Sequence, residues 1–525
     1  MFETVTCTWI FIVIVVVFFF IKWHISRNDD YWKNKGVPHI PRANYYSMYK
    51  EIKEKGLAEI LKNSFKPFGR RVIGSFEFST PTVTVADPNI LRDICVKDFH
   101  IFSYRRDFTS SDPIGDKTLP NLTGEDWKRI RTIITPAFTS KRMRQMGSII
   151  NECSETVLEV CKKHSEEGEP VDCKRLFGTF TMDVIASAAF GTKIDSHNDP
   201  DNDFVSRVRE VFLKMTYFRI MLALCTPWLI KWIPFFENPT KMDRDNFFRN
   251  VIRSVIKQRK ETGRRYNDFL QILMDCADEN AQSVNQEAFE DEIDRFGSIT
   301  NSTLSSTAKY KKLSETELLA QCVLFFIVGY ETTASVLTFV AYCLATNPEW
   351  QEKLIQEVDE AFEKHSEMSY DAVRDMKILD AVISETLRKH PPILGAERTA
   401  MEDYVLGDTG VMVEKGMRVN ISIYAMHYDP DFFQDPETFN PERFMDGYEP
   451  KHPQYAYMPF GAGPRNCLGM RFALLEIKLC ITNILRHYRI KPLPTTKVPL
   501  EYKKTVFFLT VTEMPLKFEK RTDVK

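Results

Sequence analysis

The run Phe460-Gly461-Ala462-Gly463-Pro464-Arg465-Asn466-Cys467-Leu468-Gly469 leads straight into MRFALLEIKLCITNILRHY, a pattern of helical spacing. No other stretch constrains the chain as much. Its glycines let the backbone approach a flat ligand closely and take conformations other residues resist, and Pro464 stiffens the turn. The order predicts that Cys467 stands at a helix N-terminus. There the dipole and free N–H groups favour a thiolate and can hydrogen-bond a sulfur that holds a metal. A lone cysteine is ordinarily one more buried thiol; these surroundings point instead to a ligand. Arg465, two residues away, is placed to reach an anionic group.

The other cysteines support the contrast. The chain has 11, scattered and odd in number, with no Cys-x-x-Cys pair. That speaks against a disulfide framework and against a structural zinc site, and for small buried thiols in a reducing compartment. The net charge of −2 and pI near 6.6 leave no basic footprint, so nucleic acid is not expected as a partner. With 43 % hydrophobic residues the chain can build a large core, and 39 Phe point to aromatic-rich packing or a large apolar cavity.

Residues 4–21, TVTCTWIFIVIVVVFFFI, carry no charge and come close to the roughly 20 residues a helix needs to cross a bilayer. A cleaved signal would have a positive charge before the apolar core and small residues after it; neither is present. Lys22, Arg27, Lys33 and Lys35 follow, and such an excess marks the cytosolic flank. The reading is a membrane anchor over 1–24, a basic and Pro-rich hinge over 25–45 that includes Gly36-Val37-Pro38-His39-Ile40-Pro41, and a body over 46–525 facing the cytosol. The sequons at Asn121, Asn301 and Asn420 would then stay unglycosylated. An Arg- and Ser-rich transit peptide is missing, which argues against a mitochondrial address.

Helical patterns dominate the body, at 141–164, 204–226, 240–262, 316–346, 348–364, 378–389 and 469–487. Strand-like runs are shorter, at 72–76, 82–86, 404–406, 411–413 and 506–512. The fold class is mostly α with a small β part. Residues 280–312 read as a polar surface loop. The segment 217–236 is apolar enough to touch a membrane, but Arg219, Lys231, Pro227 and Pro234 argue against its spanning one.

The pattern Phe-x-x-Gly-x-Arg-x-Cys-x-Gly resembles the haem-binding signature of the cytochrome P-450 family, with every fixed position filled by Phe460, Gly463, Arg465, Cys467, Gly469 and the residues between. Other motifs follow the family's order. Glu385-Thr386-Leu387-Arg388 matches its Glu-x-x-Arg, and Pro441-Glu442-Arg443-Phe444 stands where the family places the third member of that buried network. Val328-Gly329-Tyr330-Glu331-Thr332-Thr333 is similar to its oxygen-activating helix. Glu331 is the one formal charge in 318–348, and Gly329 with a hydroxyl bonded one turn back would open a polar notch. One position departs, since the family usually has Ala or Gly where this chain has Val328. Trp127 and Arg131 match a Trp-x-x-x-Arg propionate clamp.

The resemblance runs to about residue 515 and is closest to the microsomal branch that oxidises steroids and drugs. It implies a cytochrome P-450 fold, an α-helical haem domain with short antiparallel sheets. It also implies haem b with the Cys467 thiolate on the iron, Glu331 and Thr332 as a proton-relaying acid–alcohol pair, and Arg105, Trp127, Arg131, Arg398, Phe460, Arg465 and Gly469 around the cofactor. The expected reaction inserts one oxygen atom from O2 into a lipophilic steroid, fatty acid or xenobiotic. No Gly-x-Gly-x-x-Gly opens a βαβ unit, so electrons are expected from an NADPH-dependent flavoprotein reductase, with a cytochrome b-type protein as a further donor. Lys128, Arg129, Lys141, Arg142 and Arg144 form a basic cluster suited to steer an acidic partner. Phe102, Phe108, Ile393 and Leu394 are expected to line the substrate site. The expected address is the endoplasmic reticulum membrane, in contact with its lipid. Two other readings stay open: a haem-thiolate isomerase or dehydratase, and a non-catalytic haem- or lipid-binding membrane protein.

Overall fold

The computed structural model describes residues 26–42, 45–77, 79–106, 113–194, 247–266, 268–277, 313–445, 452–504 and 508–524, with a few isolated positions between them. Apart from Val15, the apolar segment 4–21 lies outside these residues, as do Phe108, 217–236, 280–312 and most of 204–226. The chain divides into two compact units, Met1–Arg106 with Gly395–Met426, and Asp107–Leu394 with His427–Lys525.

The strands in chain order are β1 (Val72–Glu77), β2 (Thr80–Val85), β3 (Val171–Asp172), β4 (Ala396–Thr399), β5 (Tyr404–Val405), β6 (Met412–Val413), β7 (Arg418–Ile421), β8 (Tyr488–Lys491) and β9 (Pro515–Lys520). The smaller unit holds a four-stranded sheet of order β1-β2-β7-β4. Its pairs are antiparallel except one: β2 and β7 run parallel, with Thr82 opposite Arg418 and Val85 opposite Ile421. The sheets are therefore not all antiparallel, as the resemblance led us to expect. A tight turn enforces an antiparallel pair only between neighbours in sequence, and β2 and β7 are joined by most of the chain.

Residues 31–40 dock against β1. Trp32 is fully buried, its indole N–H donates to the Ser75 carbonyl at 2.9 Å, and a Cβ on Gly74 would fall 2.5 Å from its ring. Gly74 in turn donates to the Pro38 carbonyl at 2.8 Å and accepts from the Ile40 N–H at 3.0 Å. The Pro-rich stretch is thus laid along the sheet edge rather than standing free as a hinge. Its extended backbone, which proline imposes, is what a strand edge can pair with.

The larger unit is helical. Its main helices are α1 (Gly124–Ile134), α2 (Ser140–Glu167), α3 (Cys173–Phe190), α4 (Phe247–Thr262), α5 (Phe269–Ala277), α6 (Glu315–Thr346), α7 (Pro348–His365), α8 (Lys377–Lys389) and α9 (Met470–His487), with a three-stranded sheet β3-β9-β8. Helix α6 starts at a capping box, in which the Ser314 hydroxyl accepts from the Glu317 N–H and the Glu317 carboxylate accepts from Ser314. By length and hydropathy α6 would cross a membrane, yet 72 % of its most apolar stretch is buried in the protein: it is the core helix. It packs along α3, and the contact is close because Gly329 has no side chain. A Cβ there would meet Ile185 Cδ1 at 2.5 Å. Gly329 therefore serves helix packing first, rather than opening a notch.

Candidate active site

Gly461 and Gly463 both sit at positive φ, 74° and 70°, which L side chains resist. They fold Phe460–Cys467 into a hairpin-like turn closed by the Cys467 N–H donating to the Phe460 carbonyl at 2.9 Å and the Asn466 N–H donating to Gly463 at 2.9 Å. Helix α9 begins only at Met470, with Gly469 as its N-cap. Cys467 thus precedes the helix instead of occupying its first turn, and its own N–H is already used. The turn holds it there because the backbone at Asn466 is extended and cannot yet be helical.

What distinguishes Cys467 is exposure. Of the eight cysteines among the described residues it alone is exposed; six are buried and Cys153 is half-buried. Burial pushes those seven thiols up, to about 12 for Cys153, Cys161 and Cys343. They stay protonated packing groups, as expected of them.

Three predicted residues meet behind the turn. Arg131, 4 % exposed, donates to the Asn466 carbonyl at 3.1 Å and its side-chain oxygen at 2.7 Å. Arg465 donates to the Leu122 carbonyl at 2.7 Å, and its guanidinium lies 4.4 Å over the buried Trp127 ring. Burial lowers Arg131 to about 10, and the negative charge of a Cys467 thiolate opposes that fall. Its Nε is buried with no hydrogen-bond partner among the described residues.

Glu331 and Thr332 do not bond each other. The Thr332 hydroxyl donates to the Val328 carbonyl at 2.7 Å, the ordinary behaviour of a helix threonine. The Glu331 carboxylate is taken by Lys174 at 2.7 Å and the Thr510 hydroxyl at 3.0 Å. Val328, one turn before Thr332, is 45 % exposed, so α6 presents an open face at this point.

Behind the turn lies a second network. Arg388 and Glu385 are both fully buried and paired in a bidentate way, at 2.7 and 2.8 Å, with Arg443 at 3.5 Å from the same carboxylate. An exposed pair of this spacing stabilises by roughly 0.2–0.5 kcal/mol, whereas removing one member of a buried pair costs about 3–5 kcal/mol. Burial decides for the second. Sequence reasoning missed His427, which links this network to the turn. Its Nδ1–H donates to the Arg388 carbonyl at 3.0 Å and its Nε2 accepts from the Met458 N–H at 3.2 Å. No spacing marks it, because its partners are backbone groups. Lys174 and Asn466 escaped notice for a similar reason, standing far in sequence from what they hold.

In the smaller unit Arg398 is 2 % exposed and donates to the Glu397 carbonyl at 2.8 Å, while its Nε has no hydrogen-bond partner among the described residues. Arg105 is half-buried. Phe102 is fully buried with its ring against Tyr404, so it packs a core rather than lining an open site. Leu394, in the larger unit, is likewise buried, and Ile393 bridges to Phe508.

The cytochrome P450 family profile matches residues 38–518. The chain belongs to the cytochrome P450 family. Its relatives include cytochrome P450 3A2 of Rattus norvegicus, 32 % identical over 95 % of this chain and 93 % of the relative. Cytochrome P450 3A29 of Sus scrofa is 33 % identical over 97 % and 96 %, and cytochrome P450 3A5 of Homo sapiens 33 % over 94 % and 93 %. A P450 is a monooxygenase that holds haem b through a cysteine thiolate. The larger unit of this P450 fits such a group. Among the described residues one thiol is exposed, on a glycine turn, and the buried Arg131 beside that turn has an Nε–H without a hydrogen-bond partner.

Proposed function

We propose that this P450 inserts one oxygen atom of O2 into a lipophilic substrate, a steroid, fatty acid or xenobiotic, at a haem held by the Cys467 thiolate. The exposure of Cys467, alone among the described cysteines, on a turn that Arg131 and Arg465 brace from behind carries the reading. When bound, haem supplies dioxygen activation, and a thiolate ligand favours O–O cleavage. The chain's own residues supply the surroundings. Arg131, whose Nε–H has no hydrogen-bond partner among the described residues, and Arg465, stacked on Trp127, offer cationic groups for carboxylates. Phe460 and Gly469 bracket the sulfur. Thr332 and Glu331 carry protons from solvent toward the open face of α6. Arg105 and Arg398 are assigned to haem carboxylates by the family resemblance alone.

Electrons come from an NADPH-dependent flavoprotein reductase, with a cytochrome b-type protein as a second donor. The anchor over 1–24 fixes the enzyme in the endoplasmic reticulum membrane, in contact with its lipid, with the body on the cytosolic side. The test is NADPH consumption by the purified enzyme with reductase and a panel of steroids and fatty acids, with product analysis. Oxygenated product formed at the expense of NADPH is expected. Rearrangement of a lipid hydroperoxide without reductase, and no NADPH-linked product, would replace this reading by an isomerase.

A further inference from the structure

Glu331 is the single formal charge in 318–348, and it is not left to solvent. Lys174 of α3 donates to Glu331 Oε1 at 2.7 Å and to the Ser335 hydroxyl at 3.2 Å. Ser335, one turn beyond Glu331 on α6, donates to the Thr510 hydroxyl at 3.2 Å, and Thr510 donates to the same Oε1 at 3.0 Å. Every donor converges on one carboxylate oxygen. The other, Oε2, has no hydrogen bond among the described residues. Lys174 and Glu331 are both mostly buried, with side chains 16 % and 15 % exposed, so the pair is screened much less than a surface salt bridge.

The cost of this arrangement falls on α3. Lys174 is the second residue of that helix, where the dipole disfavours a cation. Asp172, the N-cap, accepts through Oδ1 from the N–H groups of Lys174 and Met514, while the Lys174 ammonium goes to Glu331 and Ser335 instead. Nothing about building α3 asks for a lysine here. The segment that brings Thr510 is fixed in turn by β9, which pairs with β3 immediately before α3. Three parts of the larger unit therefore meet at Glu331 Oε1.

We propose that Lys174 is a positioning residue for proton delivery: with Ser335 and Thr510 it fixes the Glu331 carboxylate by one oxygen, leaving Oε2 to exchange protons. This rests on the reading of Glu331 as a proton carrier. Oε2 takes a proton from solvent and gives it up toward Thr332, so the carboxylate ends as it began. Without the ammonium, the carboxylate loses its main counter-charge and one of its two anchors, and its free oxygen is no longer aimed.

The experiment uses the full-length, haem-loaded enzyme with reductase and a lipophilic ether whose O-dealkylation is read by fluorescence. Lys174→Met, Lys174→Arg, Glu331→Gln and the double variant Lys174→Met/Glu331→Gln are compared. Hydrogen peroxide released per NADPH and the solvent isotope effect on NADPH consumption report proton delivery; the urea midpoint of unfolding reports the pair itself. Lys174→Met should raise peroxide per NADPH several-fold and enlarge the isotope effect, and Lys174→Arg should restore most of the parent values. The double variant should unfold at no lower urea than the worse single variant. Unchanged or improved coupling in Lys174→Met, while Glu331→Gln uncouples, would overturn the proposal and leave the proton carrier in place. Additive losses in urea midpoint would overturn it too. Normal coupling in Glu331→Gln would instead bring down the proton-carrier reading, and this proposal with it.

Discussion

His427 shows how a single residue far from any recognisable motif can hold the site together. A carbonyl only accepts and an N–H only donates, so its two bonds fix the tautomer with the proton on Nδ1. Burial, followed by the charge of Arg388, lowers it from 6.5 to about 3. A histidine kept neutral in the fold takes up a proton more readily when unfolded. Its contribution is therefore complete above about pH 6.5 and is lost progressively as pH falls from 6.5 toward about 3, at roughly 1 kcal/mol per pH unit. Urea unfolding at a series of pH values should show this loss in the parent, and His427→Gln should flatten the slope in that window. A variant with the parent's slope would mean that the imidazole is not the group responsible.

At the scale of elements, α6 and α3 are locked by the absence of a side chain at Gly329. Alanine there gains about 1 kcal/mol in helix propensity, but its Cβ would stand 2.5 Å from Ile185 Cδ1 and 3.0 Å from Cγ1. Overpacking of that kind costs about 1–3 kcal/mol, so Gly329→Ala should lower the unfolding midpoint. Adding Ile185→Val, which removes the offending Cδ1, should recover most of it; no recovery would place the strain elsewhere. The same pair of helices shows what the sequence could and could not disclose. Helix α6 was legible because it is long, apolar and capped. Helix α3 was not, because nearly all its residues are buried and no polar face gives a period to read. Strands β4, β7, β8 and β9 are short, half-covered pieces whose pairing depends on distant partners, and the expected strand at 506–512 falls short of β9. At the site, the cysteine turn and the Glu-x-x-Arg network could be read from spacing. The pairing of Glu331 with Lys174 could not, since the two stand 157 positions apart.

For the molecule as a whole, partner docking depends on which charges are free to steer. Three of the five cationic residues on α1 and the first turns of α2 are engaged within the chain: Lys128 with Glu125, Arg129 with Asp126 and Glu317, and Arg144 with Asp371. Lys141 is exposed and Arg142 half-buried on the first turn of α2. Lys141→Glu should therefore raise the reductase concentration needed for half-maximal turnover several-fold, more so at low salt, with little change in stability. Arg129→Glu should chiefly destabilise, because it faces Glu317 beside the capping box of α6. Equal effects of the two on reductase titrations, with no loss of stability in the second, would contradict this division. All of it presupposes a thiolate on iron. The most direct test is the carbon monoxide difference spectrum of the reduced full-length enzyme beside Cys467→Ser. The parent should show the strongly red-shifted Soret band of thiolate ligation, and the variant should lose it. That band surviving in Cys467→Ser, or a folded parent that takes up no haem, would contradict ligation by Cys467.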